Sequence, residues 1–114
     1  MSMTLHVDRS FSKTALVTLQ GEVDLSQSPE VRQTVLGCLN DGLDVVVDLA
    51  QVAYIDSSGI ASFIEAYQSA RKLGRKFSLA AVSAAALRVL KLARLDEVFV
   101  ILAHARDGLP VAED

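Results

Sequence analysis

Asp56-Ser57-Ser58-Gly59 joins an apolar run to an amphipathic segment, and it is here that this 114-residue chain sets a carboxylate, two hydroxyls and a glycine side by side. Three kinds of chemistry are open to such a junction. A serine at a helix start can accept a hydrogen bond from an early backbone N–H and cap the helix, worth about 1 kcal/mol. A serine can act as a nucleophile if a base lies within hydrogen-bond reach and donors await the oxyanion. A serine can also accept a phosphoryl group, whose charge would meet the free N–H groups and positive dipole of the helix start. Any switching would then come from a changed surface, and Gly59, lacking a side chain, would let a partner approach closely.

The nucleophile reading fails on its surroundings. The strand-to-helix elbow of hydrolases reads G-x-S-x-G, and with Ser57 as nucleophile, Ile55 stands where the first glycine belongs. The two histidines, His6 and His104, fall on a first strand and in the tail, far in sequence from the serine pair. No catalytic residue is assigned, and the chain is read as no enzyme. Cys38 and the histidines have no metal-ligand spacing, and neither a G-x-x-x-x-G-K loop nor G-x-G-x-x-G occurs, so no metal or cofactor is expected. Capping remains open for Ser57 or Ser58, and phosphorylation for Ser57.

The elements that must hold this junction are legible from periodicity. Thr4 to Val7 and Ala15 to Leu19 read as a hairpin of two strands, the second ending at Gly21. Ser28-Pro29-Glu30 signals a helix start capped by Ser28, with Val31, Val35, Leu36, Cys38 and Leu39 on one face and Asn40-Asp41-Gly42 as its stop. Val45-Val46-Val47 with Leu49 predicts a central buried strand ending near Leu49. A helix starting near Ser58 follows, with Ile60, Phe63, Ile64 and Tyr67 at helical spacing and Gly74 as its stop. Phe77 to Val82 predicts another strand, Ser83 opens a third helix facing inward through Leu87 and Leu90, and Val98 to Leu102 makes a last strand. The order ββαβαβαβ implies an α/β domain with a mostly parallel sheet and right-handed crossovers. One domain over residues 1–114 is expected, with 103–114 a short helix and frayed tail.

Composition bounds the partners. The chain is 51% hydrophobic and 22% charged, enough apolar material for a core. Its formal net charge of −3, 5% aromatic content and lack of tryptophan argue against nucleic acid as a partner. Seven bases nonetheless lie between 71 and 94 with no acid among them (Arg71, Lys72, Arg75, Lys76, Arg88, Lys91, Arg94), either as solvated helix ends or as a partner surface. The single cysteine is read as core filling in a reducing compartment, and no apolar stretch approaches a membrane span, so a cytoplasmic protein without direct membrane insertion is expected.

Four segments together resemble the STAS domain family of anti-sigma factor antagonists and sulfate-transporter tails. They are Leu19-Gln20-Gly21-Glu22-Val23-Asp24, Val45-Val46-Val47-Asp48-Leu49, Tyr54-Ile55-Asp56-Ser57-Ser58-Gly59-Ile60 and Leu87-Arg88-Val89-Leu90. The resemblance implies a single STAS-type domain, a mixed and mostly parallel sheet with helices packed on it. It implies Ser57 as the phosphoacceptor, and a partner surface of Asp24, Asp56, Ser58, Gly59, Ile60 and Ala61. It further implies partner switching: binding to an anti-sigma factor that is also a serine kinase, release on phosphorylation, and resetting by a serine phosphatase. Many antagonists follow the motif with Leu-Gly, whereas Ile60-Ala61 follows here and keeps a small residue at 61. The other role such domains fill is the cytoplasmic subunit of a lipid-transporting ABC permease, which needs no phosphorylation cycle.

Overall fold

Apolar residues alternate with polar ones along the first two strands because one face is covered and the other is open. The computed structural model describes residues 2–110. β1 (Met3–Phe11) and β2 (Thr14–Val23) form the expected antiparallel hairpin, with Leu5 opposite Leu19 and Val7 opposite Val17 on the covered face, and His6 opposite Thr18 on the other. β2 does not end at Gly21. That residue, at φ 91°, sits where the pairing with the next strand slips, and the chain runs on to Val23. A glycine inside a strand marked a bulge here, not a terminus.

α1 (Ser28–Asn40) buries Val31, Val35, Cys38 and Leu39 as expected. Ser28 is not its cap: it is the first helical residue, Gln27 takes the cap position, and no side chain closes the helix start. The Gln27 and Ser28 amides instead donate to the Asp24 carbonyl at 3.0 and 2.8 Å. β3 (Asp44–Ile55) is longer than its apolar run suggests. Val45 to Asp48 pair with β4 (Phe77–Ala80), but β2 continues alongside β3 as far as Val23 opposite Ile55, so the second half keeps a hydrogen-bonded neighbour. β5 (Val100–Leu102) completes a five-stranded sheet in which strand order follows chain order, with β2 to β5 all parallel. The expected α/β architecture is thus the observed one; Val98, expected to open β5, lies in the turn before it.

α2 (Ser57–Leu73) buries Ile60, Phe63, Ala66 and Ala70, and ends at Gly74, whose φ of 68° is the left-handed conformation a helix stop requires. α3 (Ala84–Leu92) is capped by Ser83, whose Oγ accepts from the Ala86 amide at 3.2 Å and donates to the Val52 carbonyl at 2.7 Å. Its buried residues are Ala86 and Leu90, while Leu87 is half-buried. One core joins these helices to Val17 and Leu19 of β2, Val45, Val47 and Leu49 of β3, and Leu79 of β4. Val46 points the opposite way. A 3-10 turn over Ala105–Gly108 covers it, closely enough that a Cβ on Gly108 would lie 2.8 Å from Val46 Cγ2. Three successive valines are therefore all buried although the helices cover one face only. Residues 111–114, where part of the expected frayed tail falls, lie outside the described residues. Among the described residues, no helix is long and apolar enough to cross a membrane.

Candidate functional site

β3 ends at the buried Ile55, α2 begins at Ser57, and the single residue between them is Asp56, in extended conformation. Its backbone amide donates to the Val23 carbonyl at 3.2 Å, which pins the junction to the end of β2. Its carboxylate turns onto the helix start and accepts from the Ser58 amide at 2.9 Å, the Gly59 amide at 3.3 Å and the Ser58 hydroxyl at 2.5 Å. Asp56 is therefore the N-cap. The Ser58 hydroxyl, foremost, and then the Gly59, Ser58 and Leu25 amides hold Asp56 below the usual carboxylate range against the opposing effect of burial. It stays ionised at neutral pH.

The two serine hydroxyls are placed differently. Ser58 is half-buried and spent on Asp56, and its carbonyl accepts from the Ser62 hydroxyl at 3.1 Å. Ser57 is exposed, and its hydroxyl has no hydrogen-bond partner among the described residues. Neither serine is the cap. The expectation that a phosphate on Ser57 would find unclaimed N–H groups is also corrected, because the Asp56 carboxylate already holds those of Ser58 and Gly59. A phosphate there would stand out in solvent beside a like charge.

Gly59 and Ile60 were expected to meet a partner, and both are buried. A Cβ on Gly59 would lie 2.7 Å from Ile55 Cγ1 and 3.0 Å from Val23 Cγ1, so the absent side chain makes room for the protein's own core. Ile60 is only 5% exposed and belongs to that core. Ala61 is exposed and lines a shallow groove between α1 and α2, bridged by the Arg32 Nε to Glu65 Oε2 ion pair at 2.6 Å. Asp24 lies in the loop that Asp56 grips; its side chain accepts from the Ser26 amide at 2.9 Å and its carbonyl starts α1. The structure thus brings Asp24, Asp56, Ser57 and Ser58 to one edge, with Ala61 one turn further along α2.

Sequence reasoning missed Leu25. Its amide is the smallest of the influences that hold Asp56 ionised, and its side chain is 72% exposed. A lone leucine between Asp24 and Ser26, matching neither strand nor helix periodicity, was the available signal. Tyr54, 50% exposed at the end of β3, is a second apolar surface residue at this edge. His6 lies on β1, two strands from β3, and His104 starts the 3-10 turn, its amide donating to Asp107 Oδ2 at 3.1 Å; neither has a hydrogen bond to Ser57 among the described residues. Among the described residues, no cluster of histidine, cysteine or acidic groups could hold a metal.

The capping role has a measurable consequence. Asp56→Ala is expected to lower stability by about 1 to 2 kcal/mol at pH 7, as for other lost caps. Because the folded Asp56 titrates below its unfolded value, this contribution is present above the ordinary carboxylate value near 4 and is lost as pH falls through the folded one. Denaturant midpoints of wild type and variant should therefore converge in acid. A gap that persists undiminished at low pH would remove the ionised cap from the account.

A family model described as "Mlab, STAS domain" matches residues 6–103. The anti-sigma-B factor antagonist of Bacillus subtilis (strain 168) is 25% identical over 108 residues, 94% of this chain and 99% of the relative. The crystal structure of an anti-sigma factor antagonist from Mycobacterium paratuberculosis superposes with a TM-score of 0.82 at 26% identity, covering 94% of this chain and 91% of that one. The Bacillus cell fate determinant SpoIIAA in its phosphorylated form shares the fold, with a TM-score of 0.74 at 15% identity over 92% of this chain and 96% of that one. Anti-sigma factor antagonists are non-catalytic regulatory proteins. With the parallel sheet, the Asp56 cap and the exposed serine after it already in place, the match over residues 6–103 makes this chain a member of the STAS domain family, with anti-sigma factor antagonists among its curated and structural neighbours.

Proposed function

We propose that this chain is a cytoplasmic, phosphorylation-controlled binding module of the anti-sigma factor antagonist kind, with Ser57 as its phosphoacceptor. The observation that carries this reading is the division of labour between adjacent residues. Asp56 supplies the cap and Ser58 braces it, while the exposed Ser57 hydroxyl is left free of any partner among the described residues. Modifying it breaks no bond that the fold uses. The unmodified edge of Asp24, Leu25, Asp56, Ser57, Ser58 and Ala61 docks an anti-sigma factor that is also a serine kinase. Gly59 and Ile60 support that edge from beneath.

In the proposed cycle the Ser57 oxygen attacks the γ-phosphorus of the kinase's ATP, ADP leaves, and the hydroxyl proton passes to a base on the kinase. The new phosphate carries about −1.5 to −2 charge at pH 7. It stands beside the ionised Asp56, so an interface that tolerated one carboxylate and a neutral hydroxyl now faces two adjoining anions. Docking fails through repulsion and the cost of desolvating the phosphate. A serine phosphatase hydrolyses the ester and restores the binding surface.

Ser57→Asp tests this with a single substitution. Its affinity for the cognate kinase should fall by about tenfold or more, as expected for a charge misplaced in an interface. The thermal midpoint should barely move, since an acid at a helix start gains about 0.3 to 1 kcal/mol from the dipole, offset by Asp56. Unchanged affinity would defeat the proposal, and a large loss of stability would show that the hydroxyl has a structural role. A complex with a transporter ATPase that forms equally well with either residue at 57 would assign the chain to the permease role instead.

A further inference from the structure

The second half of α2 lies beyond any role assigned to Ser57, and it walls a cavity of about 560 Å3 with the segment that leads from α3 to β5. Apolar and aromatic side chains make most of the lining. Tyr67 and Phe99 meet edge to face, with ring centroids 5.9 Å apart, and Leu95 and Val98 extend the apolar wall. Val98 is 44% exposed, an apolar side chain left facing solvent at this mouth. Arg71 and Lys72 complete the lining from the last turn of α2. The Arg71 guanidinium is held over the Tyr67 ring, 5.8 Å from its centroid, with Nη1 donating to the phenol oxygen at 3.4 Å.

Charge decides what such a site accepts. Neither Arg71 nor Lys72 is ion-paired among the described residues, whereas Arg9, Arg32 and Arg75 all are. Arg71 and Lys72 are the charged residues of the lining, and no acid is among them: Asp96 and Glu97 lie between Leu95 and Val98 in the chain but do not line the cavity. A concave apolar wall with two unpaired cations at one side suits an apolar body ending in one anion. The volume is within the range of small-molecule sites. We propose that this cavity binds a small amphiphilic carboxylate from solution, its chain against Tyr67, Leu95, Val98 and Phe99 and its carboxylate on Arg71 and Lys72. The site lies at the opposite end of α2 from Ser57 and is independent of its modification state.

Sodium decanoate, kept below its micelle concentration, is a suitable probe, titrated into the 15N-labelled full chain and followed by NMR. Saturable shifts are expected at residues 67–72 and 95–99. Decanol, with the same chain and no charge, should bind at the same residues about tenfold more weakly, as expected for loss of a charge-assisted contact. Arg71→Gln with Lys72→Gln should bring decanoate down to the level of decanol and leave decanol unchanged, while Val98→Asp should weaken both. All three positions are exposed, and matching spectra outside the site will verify that each variant is folded. Equal affinity for decanoate and decanol in the wild type, or no saturation by millimolar concentration, would overturn the proposal. So would binding confined to anionic phosphatidylglycerol vesicles, or to an acidic peptide with decanoate excluded.

Discussion

In the Ser57→Ala variant, phosphoryl transfer from ATP by the cognate kinase is expected to stop altogether, while the kinase remains bound and the thermal midpoint stays where it was. The loss is complete because the variant lacks the oxygen that would form the ester. Stability is unaffected because that oxygen makes no hydrogen bond among the described residues and its side chain is exposed. Ser58→Ala should behave in the opposite way. It keeps the acceptor and should still take up one phosphate, but it removes the 2.5 Å bond to Asp56, the largest influence holding that carboxylate ionised. A cost of about 1.5 kcal/mol follows, the lower end for a hydrogen bond to a charged group because the pair is only half-buried. Labelling that survives in Ser57→Ala and vanishes in Ser58→Ala would exchange the two assignments.

Gly59→Val should be among the most damaging single substitutions near the site, and the damage should be to the fold. Its Cβ would arrive 2.7 Å from Ile55 Cγ1 and 3.0 Å from Val23 Cγ1, and both neighbours are buried at the ends of their strands. Overpacking of this kind costs about 1 to 3 kcal/mol, and two further methyl groups place valine at the upper end, near 3 kcal/mol. The helix-propensity gain over glycine is under about 1 kcal/mol, so the collision wins. For a domain of this size, a drop in thermal midpoint of about 10 °C or more follows. Combining Gly59→Val with Ile55→Ala should cost less than the two costs added, because the second substitution removes the atom struck by the first. Wild-type stability with lost partner binding would restore the idea that Gly59 exists to admit a partner.

These outcomes bear on what could be read without coordinates. The order of strands and helices was legible, since Val31/Val35/Leu39 and Ile60/Phe63 carry helical spacing and Val45 to Val47 is β-branched. The true length of β3 was not, because Ala50 to Tyr54 owe their strand conformation to pairing with Gln20 to Glu22, a contact distant in sequence. For the same reason Gly21 read as a strand end when it is a bulge.

At the junction, the presence of a helix start was legible but its chemistry was not. Asp, Ser and Ser are all good N-caps, and only the extended backbone of Asp56, with its carboxylate turned onto the amides of Ser58 and Gly59, decides among them. Once Asp56 has that role, Ser57 is released to solvent. The crowding at Gly59 was not legible because its neighbours Ile55 and Val23 come from two different strands, so the demand for glycine is tertiary. Leu25 went unnoticed because an exposed leucine breaks no local pattern.

The charge-controlled surface at Ser57 is tested most directly by mass spectrometry of the native protein drawn from its host and separated into partner-bound and free pools. The account predicts an unmodified chain in the bound pool and a single phosphate on Ser57 in the free pool. Phosphate on Ser58, no phosphate in either pool, or phospho-Ser57 equally abundant in both would contradict it.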